Sequence, residues 1–333
     1  MAVLLSGCGR TEMDMNSSKN NDPSILSGSF IQPWLFADWT SQDWQQELGY
    51  MKDVQMDHII LNWTVKSDDN TTYYPSELGF EQITKDDQVL LALKSAKEAG
   101  LKVWLGLNIT NVWWKKGAED EKWLKNEFGL GRKIAGELWA LYGGEYSQTI
   151  AGFYIPLEMF NTGLRNKLLQ DRMAAVYKDI CDYVHAETGK AVMVAPFWVY
   201  KQPGPKEYAA AWAHILETAA IDVIAMQDGI GCARGNTETV RPWFAAMKEA
   251  VEKSGQKTQL WSDLETMHQL VPDVPNPEFV PADIERIKKQ IVAERDLVEK
   301  FTSFSFNHYQ SPKQRDQKGF DAYKAYVDKV MAD

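Results

Sequence analysis

Apolar runs of about eight residues, rich in β-branched and aromatic side chains, alternate along the chain with longer stretches of helical periodicity. Short glycine-containing sequences, such as Gly100-Leu101-Lys102, stand between a helical stretch and the next apolar run, as expected where a helix ends. Thr40 and Thr84 are the predicted N-caps of the first two helices. The pattern predicts eight strands, at residues 28–36, 57–65, 101–109, 150–158, 191–199, 222–228, 258–265 and 301–309. It predicts eight helices, over about 41–55, 84–99, 119–142, 164–187, 205–219, 237–254, 281–299 and 319–331.

This alternation favours one architecture. Eight βα units in about 300 residues fit a closed parallel (β/α)8 barrel, the TIM barrel of the α/β class, better than an open doubly wound sheet. The glycines at 229, 231 and 235 follow the sixth predicted strand, and their spacing does not match a dinucleotide-binding fingerprint. We therefore expect a single barrel domain over residues 28–333, preceded by a tether over residues 1–27.

The first residues of the chain suggest a membrane anchor rather than part of the barrel. Leu5-Ser6-Gly7-Cys8 follows a short apolar run and resembles the lipobox of bacterial lipoproteins, although the charged region and most of the apolar region of a signal peptide are missing. The stretch from 9 to 27 is polar and rich in Ser and Asn, as a flexible tether would be. We expect an exported protein whose lipidated Cys8 is its one membrane contact, on the periplasmic or cell-surface side. Cys181 and Cys232 fall on different elements and are expected to be free thiols.

Charge and aromatic content narrow the class of ligand. A formal charge of −10 and a pI near 5.1 argue against nucleic acid, because no basic face would displace counterions from phosphates. Thirteen Trp, thirteen Tyr and thirteen Phe are many, and Trp offers a flat apolar face and an N–H to a sugar ring. We expect a carbohydrate ligand, a monomer and no cofactor.

Acidic residues end several predicted strands, where the active site of this fold lies. Glu158 ends the fourth strand and Glu265 the seventh, nearly opposite each other across the barrel mouth. Strand alternation places Glu158 on one face with Tyr154, and Glu265 on one face with Asp263. Glycoside hydrolysis needs such a carboxylate pair, one to protonate the leaving oxygen and one to attack the anomeric carbon or to activate water. The alternative is that both point outward and form ion pairs with helices.

Further polar and aromatic residues gather near the same strand ends, and several together suggest a site rather than packing. Gln32 and Asn307 are polar positions that alternation could point inward. The residues predicted to bind substrate are Trp34, Asp38, Asn62, Trp63, Asn108, Trp113, Trp114, Trp198, Gln227, Asp228, Trp261, His308 and Tyr309.

The segments GSFIQPW, FYIPLEMF and IAMQDGIG resemble a family of bacterial glycoside-hydrolase-like barrels whose members are often lipoproteins, over residues 28 to about 331. More broadly, the arrangement resembles the retaining glycoside hydrolases of clan A. That resemblance implies that Glu158 is the acid/base and Glu265 the nucleophile. It also implies an Asn before the acid/base that binds the sugar 2-hydroxyl, whereas this chain has Leu157 there. Asn108 or Asn161 would then have to make that contact.

Other roles and other functions stay open. Asp228 would bind sugar, orient a catalytic Glu, serve as the second carboxylate of an inverting enzyme, or cap its own loop. Asp263 would raise the pKa of a neighbour or pair with a Lys or Arg. A metal-dependent hydrolase is disfavoured, because five histidines with no His-x-His on the first strand supply few ligands. A carbohydrate-binding lipoprotein with a degenerate glycosidase barrel is the alternative from a different class.

Overall fold

The predicted barrel is confirmed in the computed structural model, which describes residues 24–272, 274, 277–315 and 317–332. Eight parallel strands close into one barrel, in which each strand pairs with its neighbours in chain order and the eighth pairs with the first. The strands are β1 Leu26–Ile31, β2 His58–Leu61, β3 Lys102–Gly106, β4 Ile150–Ile155, β5 Ala191–Val194, β6 Val223–Gln227, β7 Gln259–Glu265 and β8 Lys300–Phe304.

A helix follows each strand and packs against the outside of the barrel. The aspartate or threonine before several of these helices accepts a hydrogen bond from the first turn, and Thr40 does so as predicted. Gly100 takes the left-handed conformation, with a φ of 73°, that ends the second helix. The helices are α1 Ser41–Asp53, α2 Gln88–Ala99, α3 Glu121–Tyr146, α4 Lys167–Thr188, α5 Pro205–Leu216, α6 Arg241–Ser254, α7 Ile284–Glu294 and α8 Gln317–Ala332.

Shorter elements lie in the connections that follow the strands. Three short α-helices span Pro33–Phe36, Trp113–Lys116 and Phe306–Tyr309, and a 3₁₀-helix spans Asn161–Leu164. A small sheet joins Val65–Lys66, Thr71–Thr72, Glu81–Gln82 and Asn108–Ile109, and a hairpin pairs Met267–Gln269 with Phe279–Pro281. These additions thicken the end of the barrel at which the strands terminate.

The strands end earlier than the apolar pattern predicts. Residues 33–36 and 306–309 were expected to continue β1 and β8, but they form helices that start at Pro33 and after the capping residue Ser305. Proline in the first turn and a serine cap both favour a helix start over a continued strand. The predicted cap Thr84 is also wrong, because Asp87 accepts the backbone N–H of Leu90 and caps α2.

The first strand begins at Leu26, two residues before the predicted domain boundary, and its N–H donates to the Tyr323 hydroxyl of α8 across 2.8 Å. The C-terminal helix therefore holds the strand that closes the barrel. The lipobox ending at Cys8 and the predicted tether up to residue 23 lie outside the described residues. Within the described part of the chain, no helix is both long and apolar enough to cross a membrane.

The barrel interior is filled by large side chains below the level of the strand ends. Phe30, Tyr154 and Trp261 belong to this inner cluster, and Trp104 meets Trp261 edge to face with ring centroids 6.0 Å apart. A second and larger apolar core lies between the strands and the helices. Because this cluster fills the lower barrel, the space for a ligand lies toward the mouth, as is usual for this fold.

Candidate active site

A cavity of about 320 Å³ opens at the C-terminal ends of the strands. Every strand except β5 contributes a wall residue, either from its own last positions or from the loop that follows it. The wall is formed by Gln32, Asn62, Trp63, Ile109, Thr110, Trp113, Trp114, Pro156, Leu157, Glu158, Gln227, Cys232, Arg234, Asp263, Glu265, Met267 and Phe304. Both predicted catalytic carboxylates therefore lie in one cavity.

Glu158 enters the cavity from the segment after β4. Its backbone carbonyl accepts the indole N–H of Trp113 across 2.9 Å, which fixes the segment to the loop after β3. Burial raises the pKa of the Glu158 carboxyl from 4.5 to about 7, against the lowering effects of a hydrogen bond from Gln227 and the charge of Arg234. Near neutral pH this side chain can thus both hold and release a proton.

Glu265 is the last residue of β7 and is only 2% exposed. Its Oε2 accepts the backbone N–H of Cys232 across 2.6 Å, and its Oε1 lies 3.4 Å from Nη2 of Arg234. A backbone N–H and a guanidinium are donors that suit an ionised carboxylate. The two glutamates therefore sit in different environments within the same cavity.

The loop after β6 supplies both of these donors. Gly231 allows the close approach, because a Cβ there would lie 2.6 Å from the Met267 carbonyl oxygen and 2.7 Å from Cβ of Glu265. Arg234 also reaches Oε1 of Gln227 at 3.4 Å. Neither Arg234 nor Cys232 was predicted as a site residue. The sequence feature that could have identified Arg234 is a basic residue within the glycine-containing stretch after the sixth strand.

Two further aspartates flank Glu265. Asp228 is fully buried and does not line the cavity; it accepts the backbone N–H groups of Ile230 and Glu265 and a hydrogen bond from Gln290. Of its predicted roles, Asp228 shows the capping of its own loop through the Ile230 N–H, and it also binds the backbone of Glu265. Asp263 lines the cavity at 2% exposure, and burial together with the charge of Glu265 raises its pKa well above the usual range.

Five of the predicted substrate-binding residues lie in the cavity wall. Trp63 is half-buried, Trp113 is buried behind Glu158, and Trp114 is 56% exposed. The five are Asn62, Trp63, Trp113, Trp114 and Gln227.

The other predicted substrate-binding residues lie outside the cavity wall, for different physical reasons. Trp198 stacks on Trp243 of α6 with centroids 4.9 Å apart and is completely buried. Trp261 packs in the barrel interior below the cavity. The residues away from the wall are Trp34, Asp38, Asn108, Trp198, Asp228, Trp261, His308 and Tyr309.

Trp34 and Asp38 are exposed on the segment after β1, where the Trp34 ring contacts the buried His308 at 4.6 Å between centroids. Tyr309 is half-buried beneath the guanidinium of Arg315. These residues belong to the rim of the barrel rather than to the cavity.

The amides expected to replace the missing Asn at position 157 are already engaged. Asn108 donates to the Glu127 carboxylate of α3 across 2.6 Å, and Asn161 donates to three backbone carbonyls of the loop after β5. Asn307, also expected to point inward, donates to Glu47 of α1 at 2.7 Å. Leu157 itself is 3% exposed and packs in the apolar core. The cavity amides with open hydrogen-bonding capacity are instead Gln32 and Asn62.

Among the described residues, no group of three or more His, Cys, Asp or Glu side chains is arranged to hold a metal ion. Cys181 and Cys232 are free thiols, as predicted. Burial raises the pKa of the Cys232 thiol to about 12, so that it stays protonated beside Glu265.

The eight parallel strands and the cavity at their C-terminal ends define a closed (β/α)8 barrel of the α/β class. The chain belongs to the family described as "Domain of unknown function (DUF4434)", whose model matches residues 26–316. Among proteins with curated descriptions, none is similar enough in sequence to count as a match.

Solved structures of glycosidases share the fold. A candidate alpha-L-fucosidase from Bacteroides thetaiotaomicron superposes with a TM-score of 0.75 at 20% identity, over 92% of this chain and 96% of that one. The hyperthermostable endo-1,4-beta-D-mannanase of Thermotoga petrophila gives a TM-score of 0.59 at 14% identity, over 91% and 99% of the chains. At such identities the likeness concerns the fold, and the resemblance found in the sequence is confirmed at the level of family and architecture.

Proposed function

We propose that this protein is a glycoside hydrolase that cleaves a poly- or oligosaccharide with retention of configuration. The observation that carries the proposal is the placement of Glu158, in the segment after β4, and Glu265, at the end of β7, in one cavity and in unlike environments. Unlike environments are what acid and nucleophile require, since one carboxyl must start protonated and the other ionised.

In the first step, Glu158 gives its proton to the glycosidic oxygen while the bond between that oxygen and the anomeric carbon breaks. An oxygen of Glu265 forms a bond to the anomeric carbon, which yields a covalent glycosyl ester. In the second step, Glu158 removes a proton from water, the water oxygen bonds to the anomeric carbon, and the ester bond breaks. The sequence of steps adds one water and restores both carboxyl groups.

The test is a panel of 4-nitrophenyl glycosides and oligosaccharides of fucose, mannose, galactose and glucose, followed by NMR of the first anomer released. We expect one sugar to be hydrolysed with retained configuration. E158Q and E265Q should lose hydrolysis of the oligosaccharide while Tm stays unchanged. The control E238Q removes an exposed carboxylate from the connection between β6 and α6 and should keep full activity.

Azide separates the two roles. With an activated aryl glycoside, E158A plus azide should give a glycosyl azide of retained configuration, whereas E265A plus azide should give the inverted one. Full turnover by either Gln variant would contradict the assignment, and an inverted first product from the wild-type enzyme would contradict the retaining mechanism.

A non-catalytic carbohydrate-binding protein is the second candidate, and Leu157 in place of the clan's Asn is the observation that favours it. Saturable binding of an oligosaccharide, measured by calorimetry and without turnover over days, would support this candidate against the first.

We propose further that the protein is exported and anchored through a lipid on Cys8, on the strength of the Leu5-Ser6-Gly7-Cys8 sequence, and that it is a monomer. Radiolabelled palmitate should enter the protein in bacterial cells and be lost in C8S, which should also leave the membrane fraction. Light scattering of the purified protein should give the mass of one chain.

A further inference from the structure

Two polar atoms of the cavity wall have no partner within the described structure. They are the indole Nε1 of Trp63 and Oδ1 of Asp263, both buried. Buried polar atoms in folded proteins nearly always have a hydrogen-bond partner, and an exception calls for a physical reason. In a cavity shaped for a ligand, the natural partners are polar groups of that ligand.

Asp263 is the more informative of the two. It lies on β7 two residues before Glu265, on the same face and one layer deeper in the barrel. No Lys or Arg of the described residues forms an ion pair with it. Burial and the neighbouring acids raise its pKa well above the usual range, which favours the neutral carboxyl, a form with a hydrogen-bond donor as well as an acceptor.

Because Leu157 stands where the resemblance implies a sugar-binding Asn, another polar group is needed to bind the sugar. The position before the acid/base is apolar and packed in the core, and Asn108 and Asn161 are bound elsewhere. Asp263, one layer beneath Glu265 in the cavity wall, therefore has a carboxyl oxygen free to meet a sugar hydroxyl.

We propose that Asp263 binds a hydroxyl of the sugar ring that Glu265 attacks, with the Trp63 indole N–H as a second donor to the same ring. The inference rests on the proposed glycosidase function and assigns the polar recognition of the glycon to strands β7 and β2. The ring concerned is the glycon because Asp263 lies directly below the attacking carboxylate on the same strand. The ligand class is thus a neutral sugar with a free hydroxyl on the ring face turned into the barrel.

The experiment compares D263L and D263N on the parent 4-nitrophenyl glycoside of the sugar found in the panel and on each form of it that lacks one of its ring hydroxyls. D263L should lower kcat/KM for the parent about tenfold, the worth of a neutral hydrogen bond. D263N keeps a donor and an acceptor and should retain most activity. Against one deoxy substrate, which lacks the contacted hydroxyl, D263L and wild type should be equal.

The matched control is T302V. Thr302 pairs with Asp263 across β7 and β8 and also has a buried hydroxyl without a partner, but it does not line the cavity. T302V should leave kcat/KM unchanged on the parent and on every deoxy substrate. The proposal is overturned if D263L lowers kcat/KM by the same factor on every substrate, or if D263N is as impaired as D263L at an unchanged Tm. Either result leaves the glycosidase function intact, whereas a wild-type protein without turnover overturns both.

Discussion

The backbone N–H of Cys232 donates to Oε2 of Glu265 across 2.6 Å, so the loop after β6 holds a carboxylate that belongs to β7. The contact depends on Gly231, where any Cβ would collide with Glu265 and Met267. Glu265 is held on its other side by Asp228, which accepts its backbone N–H across 3.2 Å. The loop after β6 therefore fixes the proposed nucleophile at both its carboxylate and its backbone.

G231A should displace the Cys232 N–H from Glu265. Loss of a hydrogen bond to a charged group predicts a fall in kcat/KM of about tenfold to a hundredfold. The control is G129A on α3, where a Cβ meets nothing within 4 Å. That change should leave kcat/KM unaltered and raise the free energy of unfolding by up to about 1 kcal/mol. Unchanged kinetics in G231A would show that the Cys232 contact does not serve catalysis.

The pH profile should report Glu158. The acid must be protonated for the first step, so kcat/KM should fall as the pH rises through the Glu158 pKa of about 7. Arg234 is one of the groups that lower this pKa, so R234M should raise it and move the alkaline limb to higher pH. R132M, which removes a half-exposed arginine of α3 outside the cavity, should leave the alkaline limb of the pH profile where it is. An alkaline limb shifted downward in R234M would contradict the assignment of Glu158 as the acid.

Trp114 should serve the leaving group. Its ring lines the cavity beside Phe160 and Phe197, which stack with centroids 5.0 Å apart, and Phe160 follows Glu158 by two residues. The group that departs with the protonated oxygen lies on the side of the acid, so W114A should lower kcat/KM about two- to tenfold on a disaccharide. Hydrolysis of the matching glycosyl fluoride, whose leaving group is an ion, should stay unchanged.

Y200A is the matched control for this prediction, because Tyr200 is 61% exposed and does not line the cavity. It should behave as wild type on both substrates. If W114A impaired the fluoride as strongly as the disaccharide, Trp114 would act on the glycon or on the fold instead.

Glu47 should make stability depend on pH. It is fully buried on α1, and burial raises its pKa from 4.5 to about 7 against the hydrogen bonds from Asn307 and Ser311. The folded chain binds this proton more tightly than the unfolded chain, so the free energy of unfolding falls as the pH rises from 4.5 to 7. Glu47 should account for roughly 3 kcal/mol of this fall in the free energy of unfolding.

E47Q should remove the contribution of Glu47 to this pH dependence. The free energies of unfolding measured by chemical denaturation at pH 5 and pH 8 should therefore differ less for E47Q than for wild type. The exposed-surface control E81Q should keep the wild-type difference. An identical difference in E47Q would mean that Glu47 is not the titrating group.

The barrel was predictable because its signal is local. Each strand alternates or is continuously apolar, and each helix has a cap or a glycine stop, so eight units can be counted along the chain. The ends of the strands were less predictable, because helices start at Pro33 and after Ser305 within runs whose apolar pattern still suits a strand.

The candidate site also has residues that the sequence predicts and residues that it does not. Glu158 and Glu265 could be found because this fold puts its chemistry at strand ends. Arg234 and Cys232 could not, because their contacts depend on how a loop folds back over a neighbouring strand. Trp198 and Trp114 look alike in sequence, but only Trp198 meets a partner ring from a distant helix, Trp243, and is buried by it.

The N-terminal end of β1 lies at the closed end of the barrel, opposite the mouth, where Leu26 is bound by Tyr323 of α8. Any anchor joined upstream of Ser24, whether a lipid, a resin or a carrier protein, therefore attaches to the back of the molecule. An immobilised barrel would therefore hold its cavity on the side away from the point of attachment. Attachment through the N-terminus is thus the coupling that leaves the cavity accessible.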